Sequence, residues 1–322
     1  MSEERFLVTG AAGCIGVWVL RNLVREKVPV AALDLSGHYH RLPLVLNDDE
    51  IAHIQFLQGD IADYQAVENA LKASQATRVI HLAALQLPFC KADPVAGARV
   101  NVVGTVNIFE AAKRLGLKSI VYASTTAVYG LSEEYPEQPL AHDAPLKPHS
   151  HYGVYKQANE GNAAVYYRDD GLSSVGLRPY AVYGPGRDQG MTSTPTKAIL
   201  AAAAGQLYKI SYGGRYCFQY ANDTAKAFIQ AARADCTGAQ VFNIGGDSVS
   251  TVDVISAIEQ VEPSARGRIS FEDIPLPFPA EVDNRALVEA IGPLTFTPLS
   301  EGVSETLTIF RQALVDGKIK AE

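Results

Sequence analysis

The sequence predicts an α/β fold, a doubly wound parallel sheet with a smaller C-terminal lobe. Three observations carry the prediction. Short apolar runs alternate with longer helical patterns through the first half of the chain, and strands separated by helices imply a parallel sheet covered on both faces. Three glycines spaced by two residues, Gly10, Gly13 and Gly16, fall where the first apolar run turns into the first helical pattern. After about residue 178 the alternation loosens into Gly- and Pro-containing connections with short helices, which marks a change of texture and of lobe.

Taken in order, RFLVTG, CIGVWVLRNLVREK and VPVAALD read as strand, helix and strand within the first 34 residues, a βαβ unit. Further strands are expected at 54–58, 78–82 and 119–123, with helices near 63–74, 95–115 and 150–170. Shorter helices follow at 194–205, 251–260 and 300–314. The division is a first domain over 1–178, of Rossmann type, and a smaller lobe over 179–322, with the chain crossing between them. No internal repeat or low-complexity tract appears.

Composition narrows the function classes. The chain has 322 residues, 47% apolar and 20% charged, which is the make-up of one large domain or two modest ones. Its formal net charge is -7 and the charges are scattered. A basic patch for nucleic acid or anionic lipid is therefore missing. The acidic start MSEERFLVTG reads as neither a signal nor a transit peptide, and no apolar run reaches membrane-spanning length. Cys14, Cys90, Cys217 and Cys236 are far apart, without CxxC or zinc-ligand spacing. The expected location is the cytoplasm.

The stretch Val8-Thr9-Gly10-Ala11-Ala12-Gly13-Cys14-Ile15-Gly16 is the first chemical motif. Glycine lets backbone approach a pyrophosphate, and the helix start behind it offers free N–H groups and a positive dipole end. Gly10, Ala12, Gly13, Cys14, Ile15 and Gly16 are the expected contacts. Asp34 ends the second strand, 24 residues after Gly10, where a carboxylate accepts hydrogen bonds from the two hydroxyls of an adenosine ribose. It would repel a 2′-phosphate, and no arginine directly follows it; Arg41 is some distance away. NAD is therefore expected rather than NADP.

HYGVYKQ, residues 151–157, holds two tyrosines and one lysine. A Tyr-x-x-x-Lys pattern alone arises by chance in a chain this rich in both residues, but its helical geometry is selective: residues i and i+4 share a face and adjacent residues diverge. Lys156 can serve Tyr152 and not Tyr155. A phenol has an ordinary pKa near 10, and nearby cationic charge would lower it towards use as a base. Ser150 is the expected N-cap of this helix.

These motifs, with Gly59-Asp60-Ile61, His81-Leu82-Ala83-Ala84, Asn101-Val102-Val103-Gly104-Thr105, Ala123 through Gly130, and Arg178 followed by Val182-Tyr183-Gly184-Pro185, resemble the extended short-chain dehydrogenase/reductase family of NAD-dependent sugar epimerases and dehydratases. The resemblance covers nearly the whole chain. It implies that Asp60 and Ile61 hold the adenine and that Leu82, Ala83, Ala84 and Asn101 belong to the cofactor site. Tyr152 would accept the proton of a secondary alcohol, and Lys156 would also bind the nicotinamide ribose. Thr125 falls at the family's catalytic Ser/Thr position, with Ser124 as the neighbouring alternative.

The family's 4,6-dehydratases carry an Asp-Glu pair directly after this threonine. Here those positions are Thr126 and Ala127, so dehydration is not expected. The Cys and His of a GDP-fucose synthase type are not evident, and His149 and His151 lack further ligands for a metal. Reversible oxidation at a sugar carbinol remains, with an epimerase as the leading expectation. A dehydrogenase of a non-nucleotide sugar, uronate or sugar acid stands behind it, and a non-catalytic NAD-sensing regulator further back.

The substrate side departs from the family. Ala181 occupies the place of a substrate-binding Asn, and Tyr216 the place of a diphosphate-binding Arg, with Arg215 one residue away. Tyr180, Arg187 and Arg285 complete the expected substrate residues. The resemblance also implies a homodimer through the helices near 95–115 and 150–170.

Overall fold

A computed structural model describes residues 4–321. The first half runs β1 (Phe6–Thr9), α1 (Cys14–Arg25), β2 (Val30–Asp34), α2 (Asp48–Ile51), β3 (Ile54–Gln58), α3 (Tyr64–Ser74), β4 (Arg78–His81), α4 (Leu87–Ala92), α5 (Pro94–Ala98), α6 (Gly104–Arg114), β5 (Ser119–Ala123), α7 (His151–Asp170) and β6 (Ser173–Arg178). The second half adds β7 (Ala181–Tyr183), α8 (Thr194–Ala203), β8 (Tyr208–Ile210), β9 (Arg215–Tyr220), α9 (Ala221–Arg233), β10 (Ala239–Asn243), β11 (Asp247–Ser250), α10 (Thr251–Val261), β12 (Ile269–Phe271), α11 (Arg285–Ile291) and α12 (Leu299–Val315).

Seven strands pair in the order β10-β6-β5-β4-β1-β2-β3, every neighbour parallel. The chain leaves β1 towards β2 and β3 on one side and resumes at β4 on the other. Ligands of such sheets bind beyond the carboxyl ends of the strands at this reversal. Alternation along β1 explains its wholly apolar sequence: Phe6 and Val8 enter the core on one face, and Leu7 enters the core on the other.

Local signals account for the element ends that matter to the site. Asp63 caps α3 by accepting from Gln65 N, and Ser150 caps α7 by accepting from Gly153 N at 3.1 Å. Gly171 ends α7 at a φ of 68°, where glycine has no side chain to strain. The helix expected over 95–115 is instead interrupted: a π-helical turn over Arg99–Val103 joins α5 to α6. Such widened turns admit groups that a regular helix would exclude, and here Asn159 Nδ2 reaches the Asn101 carbonyl at 2.9 Å.

Beyond residue 178 the chain both builds the small lobe and returns to the large sheet. Strand β10 lies parallel to β6 at the sheet edge. The lobe itself holds a three-stranded sheet, β11-β9-β7, and a two-stranded one, β12-β8. Its aromatic residues Tyr183, Phe218 and Tyr220 belong to the same core as Trp18 of α1, with the Trp18 and Tyr220 rings 5.5 Å apart. Among the described residues no helix is long and apolar enough to cross a membrane.

Candidate active site

A cleft of about 640 Å³ opens beyond the ends of β1, β4 and β5. At one end the glycine loop is pressed against the segment after β4. Gly10 has a φ of +65°, and a Cβ there would stand 2.6 Å from the Ala83 backbone. A Cβ on Gly16 would stand 2.5 Å from the Gly10 carbonyl oxygen. No other residue fits either place. Gly13 precedes α1 without a side-chain cap, so the first helical N–H groups stay open to an anion. Gly10, Ala12, Gly13, Cys14, Ile15, Gly16, Asp34, Asp60, Ile61, Leu82, Ala83 and Ala84 all line this cleft.

The acidic residues are held in place. Asp34 Oδ2 accepts from Ala12 N at 2.9 Å, and Asp60 Oδ1 accepts from Ala62 N at 2.8 Å. Asn107 Nδ2 donates to the Ile61 carbonyl at 2.9 Å. Asn101 is different. It is fully buried and spends its amide on Leu85, accepting from Leu85 N at 2.7 Å and donating to Leu85 O at 2.9 Å. It therefore shapes the loop behind the cleft wall and is not part of that wall.

At the chemical end, α7 brings Tyr152 and Lys156 to the same face, while Tyr155 turns away and donates to Pro94 O at 2.8 Å. Lys156 is 2% exposed; its Nζ donates to Ala123 O at 2.6 Å and lies 5.9 Å from the Tyr152 ring centre. Burial lowers the Lys156 pKa to about 8, because a low-dielectric site disfavours the charged form. Burial also raises the Tyr152 pKa, opposed by a hydrogen bond with Thr125 and by the Arg187 charge. In this structure Thr125 and Arg187 supply the downward pull that the sequence assigned to Lys156.

Neighbouring hydroxyls separate here. Thr125 faces the cleft and accepts from Ala127 N at 3.1 Å. The Ser124 hydroxyl, although part of the cleft wall, donates to Glu160 Oε1 at 2.5 Å. Glu160 in turn accepts from Arg178 Nε at 2.9 Å and Nη2 at 2.7 Å. A buried ion pair with its lone pairs filled in this way keeps a fixed arrangement.

A second buried chain links the glycine loop to α7. Thr105 Oγ1 donates to Asn101 O at 2.7 Å and so accepts from His81 Nε2, 3.0 Å away. His81 Nδ1 is then left to accept from Thr9 Oγ1 at 2.6 Å. Burial, with the Lys156 charge adding to it, pushes His81 down to about 3. The ring is neutral.

The substrate side departs most from the sequence expectation. Tyr180 and Arg187 line the cleft: the Tyr180 ring meets Phe278 edge-on at 6.4 Å, and Arg187 Nη2 donates to Thr192 Oγ1 at 2.9 Å. Four other expected residues are not brought there. Ala181 and Tyr216 are fully buried in the core, Tyr216 packing edge-on against Tyr212 at 5.1 Å. Arg215 is turned to solvent beside Asp253, 3.7 Å away. Arg285, 84% exposed, is paired with Asp283 two residues earlier at 2.6 Å. The places are filled instead by Gln86, Phe89, Met191, Thr192 and Phe278, residues with no motif of their own.

Arg41 and Asp188 also reach the cleft unannounced. Arg41 Nη1 donates to Ala12 O at 2.9 Å, so distance along the chain misjudged its position. A second groove of about 750 Å³, lined by Arg21, Arg25, Glu301 and Glu305 among others, carries two arginines and two glutamates, with Arg21 Nη2 3.8 Å from Glu305. Among the described residues no group of three or more His, Cys, Asp or Glu side chains is placed to hold a metal ion.

Comparison with known proteins agrees with this geometry. Residues 6–245 match the model of the NAD dependent epimerase/dehydratase family. The chain is 30% identical over 324 residues to the UDP-glucose 4-epimerase of Mycolicibacterium smegmatis, covering 95% of this chain and 98% of that one. A solved Thermus thermophilus UDP-glucose 4-epimerase in complex with NAD superposes with a TM-score of 0.80 at 27% identity, over 96% of this chain and 99% of that one. A UDP-N-acetylglucosamine 4-epimerase from Methanobrevibacter ruminantium gives 0.83 at 26% identity, over 97% and 99%.

Proposed function

The chain belongs to the NAD dependent epimerase/dehydratase family, and on that premise we propose that it is an NAD-dependent epimerase acting on a secondary hydroxyl of a nucleotide sugar. The observation that carries the reading is one cleft holding Tyr152, Lys156 and Thr125 beside a glycine loop that only glycine can form. The residues fit the cofactor: Gly10 and Gly16 let the loop close against Ala83 and upon itself, the uncapped start of α1 leaves N–H groups that a pyrophosphate would accept from, and Asp34 and Asp60 would meet the ribose and the adenine. When bound, NAD supplies a reversible acceptor for the hydrogen on the carbinol carbon.

The chain's own groups handle the proton and the geometry. Thr125 holds the reacting oxygen, and Tyr152 takes its proton as the alcohol becomes a ketone. Lys156, fixed by Ala123 O, would hold the nicotinamide ribose, while Thr125 and Arg187 favour the phenolate. The Ser124 hydroxyl donates to Glu160, which supports Thr125 as the catalytic hydroxyl. In an epimerase the ketone stays bound, turns its other face and takes the hydrogen back. Thr126 and Ala127 offer no acid and base for eliminating water, which supports epimerisation over dehydration.

A second reading rests on one observation: with Ala181 and Tyr216 in the core and Arg215 and Arg285 turned away, Arg187 is, among the described residues, the arginine lining the substrate side of the cleft. One arginine suits a single carboxylate better than a diphosphate, as in a dehydrogenase of a uronate or sugar acid. Incubating the purified protein with UDP-glucose, UDP-glucuronate and UDP-N-acetylglucosamine without added NAD separates the readings. A 4-epimer without NADH accumulation supports the epimerase. Stoichiometric NADH from a free sugar acid, with no isomerised nucleotide sugar, overturns it.

The protein works as a homodimer in the cytoplasm. Val95, Val103, Val154 and Val165 expose apolar surface along α5, the π-helical turn and α7, whereas Phe109 and Ala163 are buried within one subunit. The four cysteines are free thiols, as a reducing compartment requires. Sedimentation of wild type against Val165→Glu tests the interface.

A further inference from the structure

The cleft carries both marks of cofactor choice at once. Asp34 and Arg41 grip opposite ends of one residue, the carboxylate accepting from Ala12 N at 2.9 Å and the guanidinium donating to Ala12 O at 2.9 Å. Arg41 is thus one peptide unit from the carboxylate that marks the adenosine ribose. An arginine in such a place is what accommodates a 2′-phosphate, yet the chain belongs to an NAD-dependent family.

The resolution comes from the other half of the chain. Arg41 Nε lies 3.1 and 3.0 Å from the two carboxylate oxygens of Asp188, and its Nη2 lies 2.7 Å from Oδ1. His40 Nε2 adds a contact at 3.4 Å. The Arg41 side chain is 12% exposed, and each of its three nitrogens donates to Asp188 or to Ala12 O. Asp188 sits at the cleft rim, 46% exposed, but the segment carrying it is tied down on both sides. Trp18 Nε1 donates to Pro185 O at 3.0 Å, Gly186 lies alongside Arg41 and the start of α1, where a Cβ would make ordinary contact with Arg41 Cδ at 3.5 Å and Cys14 Cα at 3.6 Å, and Arg187 donates a hydrogen bond to Thr192.

We propose that Asp188 is a second determinant of NAD over NADP, acting by holding Arg41 in a bidentate pair and so withholding it from a 2′-phosphate. A phosphorylated cofactor would have to break that pair and accept a carboxylate near its own charge. The proposal rests on the NAD-dependent reading above.

Binding, without turnover, tests it: NADH and NADPH are titrated by their fluorescence into wild type, Asp188→Asn, Asp188→Ala and the double variant R41Q/D188N. Releasing Arg41 should raise NADPH affinity relative to NADH by about 10-fold or more in either Asp188 variant, as expected for a charge-assisted phosphate contact. In R41Q/D188N the ratio should return to that of wild type. An unchanged ratio in both Asp188 variants overturns the proposal. So does a gain that survives loss of Arg41, or a loss of NADH binding in both Asp188 variants, since the pair would then be holding the cleft together. If wild type binds neither dinucleotide, the NAD reading itself fails.

Discussion

The glycine-loop end of the cleft and its substrate end differ in how function is encoded. In the first, backbone shape does the work: Gly10 and Gly16 are required by approaches of 2.6 and 2.5 Å that any Cβ would block. In the second, side chains from the segment after β4, from the end of β6 and from the loops after β7 make the wall, and their identity is not bound to a backbone conformation. Backbone-encoded sites are legible as spacing, whereas side-chain walls depend on which face of a packed element meets the cleft. The difference teaches that a resemblance strong enough to place the chemistry can still misplace the substrate contacts.

The largest expected effect tests the chemistry common to both ends. Tyr152→Phe should lower kcat by about 10³-fold, the range of lost general base catalysis, while NADH still binds. Full turnover by that variant would remove Tyr152 from the mechanism. Next, Gly10→Ala should weaken NADH binding by about 10²-fold, the cost of displacing a positioned group by roughly an ångström; equilibrium titration measures it, and unchanged affinity would show that the loop yields.

Sharpening the substrate side takes a contrast within one residue type. Arg187→Ala should raise KM by about 10-fold to 100-fold, as for a lost charge-assisted hydrogen bond, whereas Arg285→Ala and Arg215→Ala should stay within about twofold. Equal losses at all three would mean that the small lobe closes over substrate and brings the outer arginines in.

A separate readout, stability rather than binding or turnover, concerns the buried chain behind both ends. His81 has a folded pKa of about 3 against about 6.5 unfolded, so between those values the unfolded chain holds more protons. Stability should therefore fall as pH drops from about 6.5 towards 3, by up to about 1.4 kcal/mol per pH unit from this group. Denaturant titrations of wild type and His81→Gln should show a shallower acid slope in the variant, and identical slopes would sink the assignment.

Much of the site was legible because the signals are local. Ser150 caps α7 and Lys156 lies one turn from Tyr152 because a helix of that register leaves no alternative; Tyr155 is excluded for the same reason. Asn101 was placed one layer too near the cofactor because a helix pattern does not announce a π-helical turn, which depends on what neighbouring elements donate to its carbonyls. Ser124 and Thr125 could not be separated in the sequence. They diverge only because Glu160, 36 residues later, accepts from one of them.

By itself the sequence determined the sheet's parallel order of elements, the glycine loop and the tyrosine-lysine pair, since each follows from periodicity and backbone sterics within a few residues. Only the tertiary structure decided which residues of the second half see the cleft. Tyr216 fills a core position beneath Tyr212, Arg285 is satisfied by its own neighbour, and Arg41 meets Asp188 across 147 residues. Side-chain direction in a packed lobe is settled by competition among distant partners for burial and charge, and no window along the chain contains those partners.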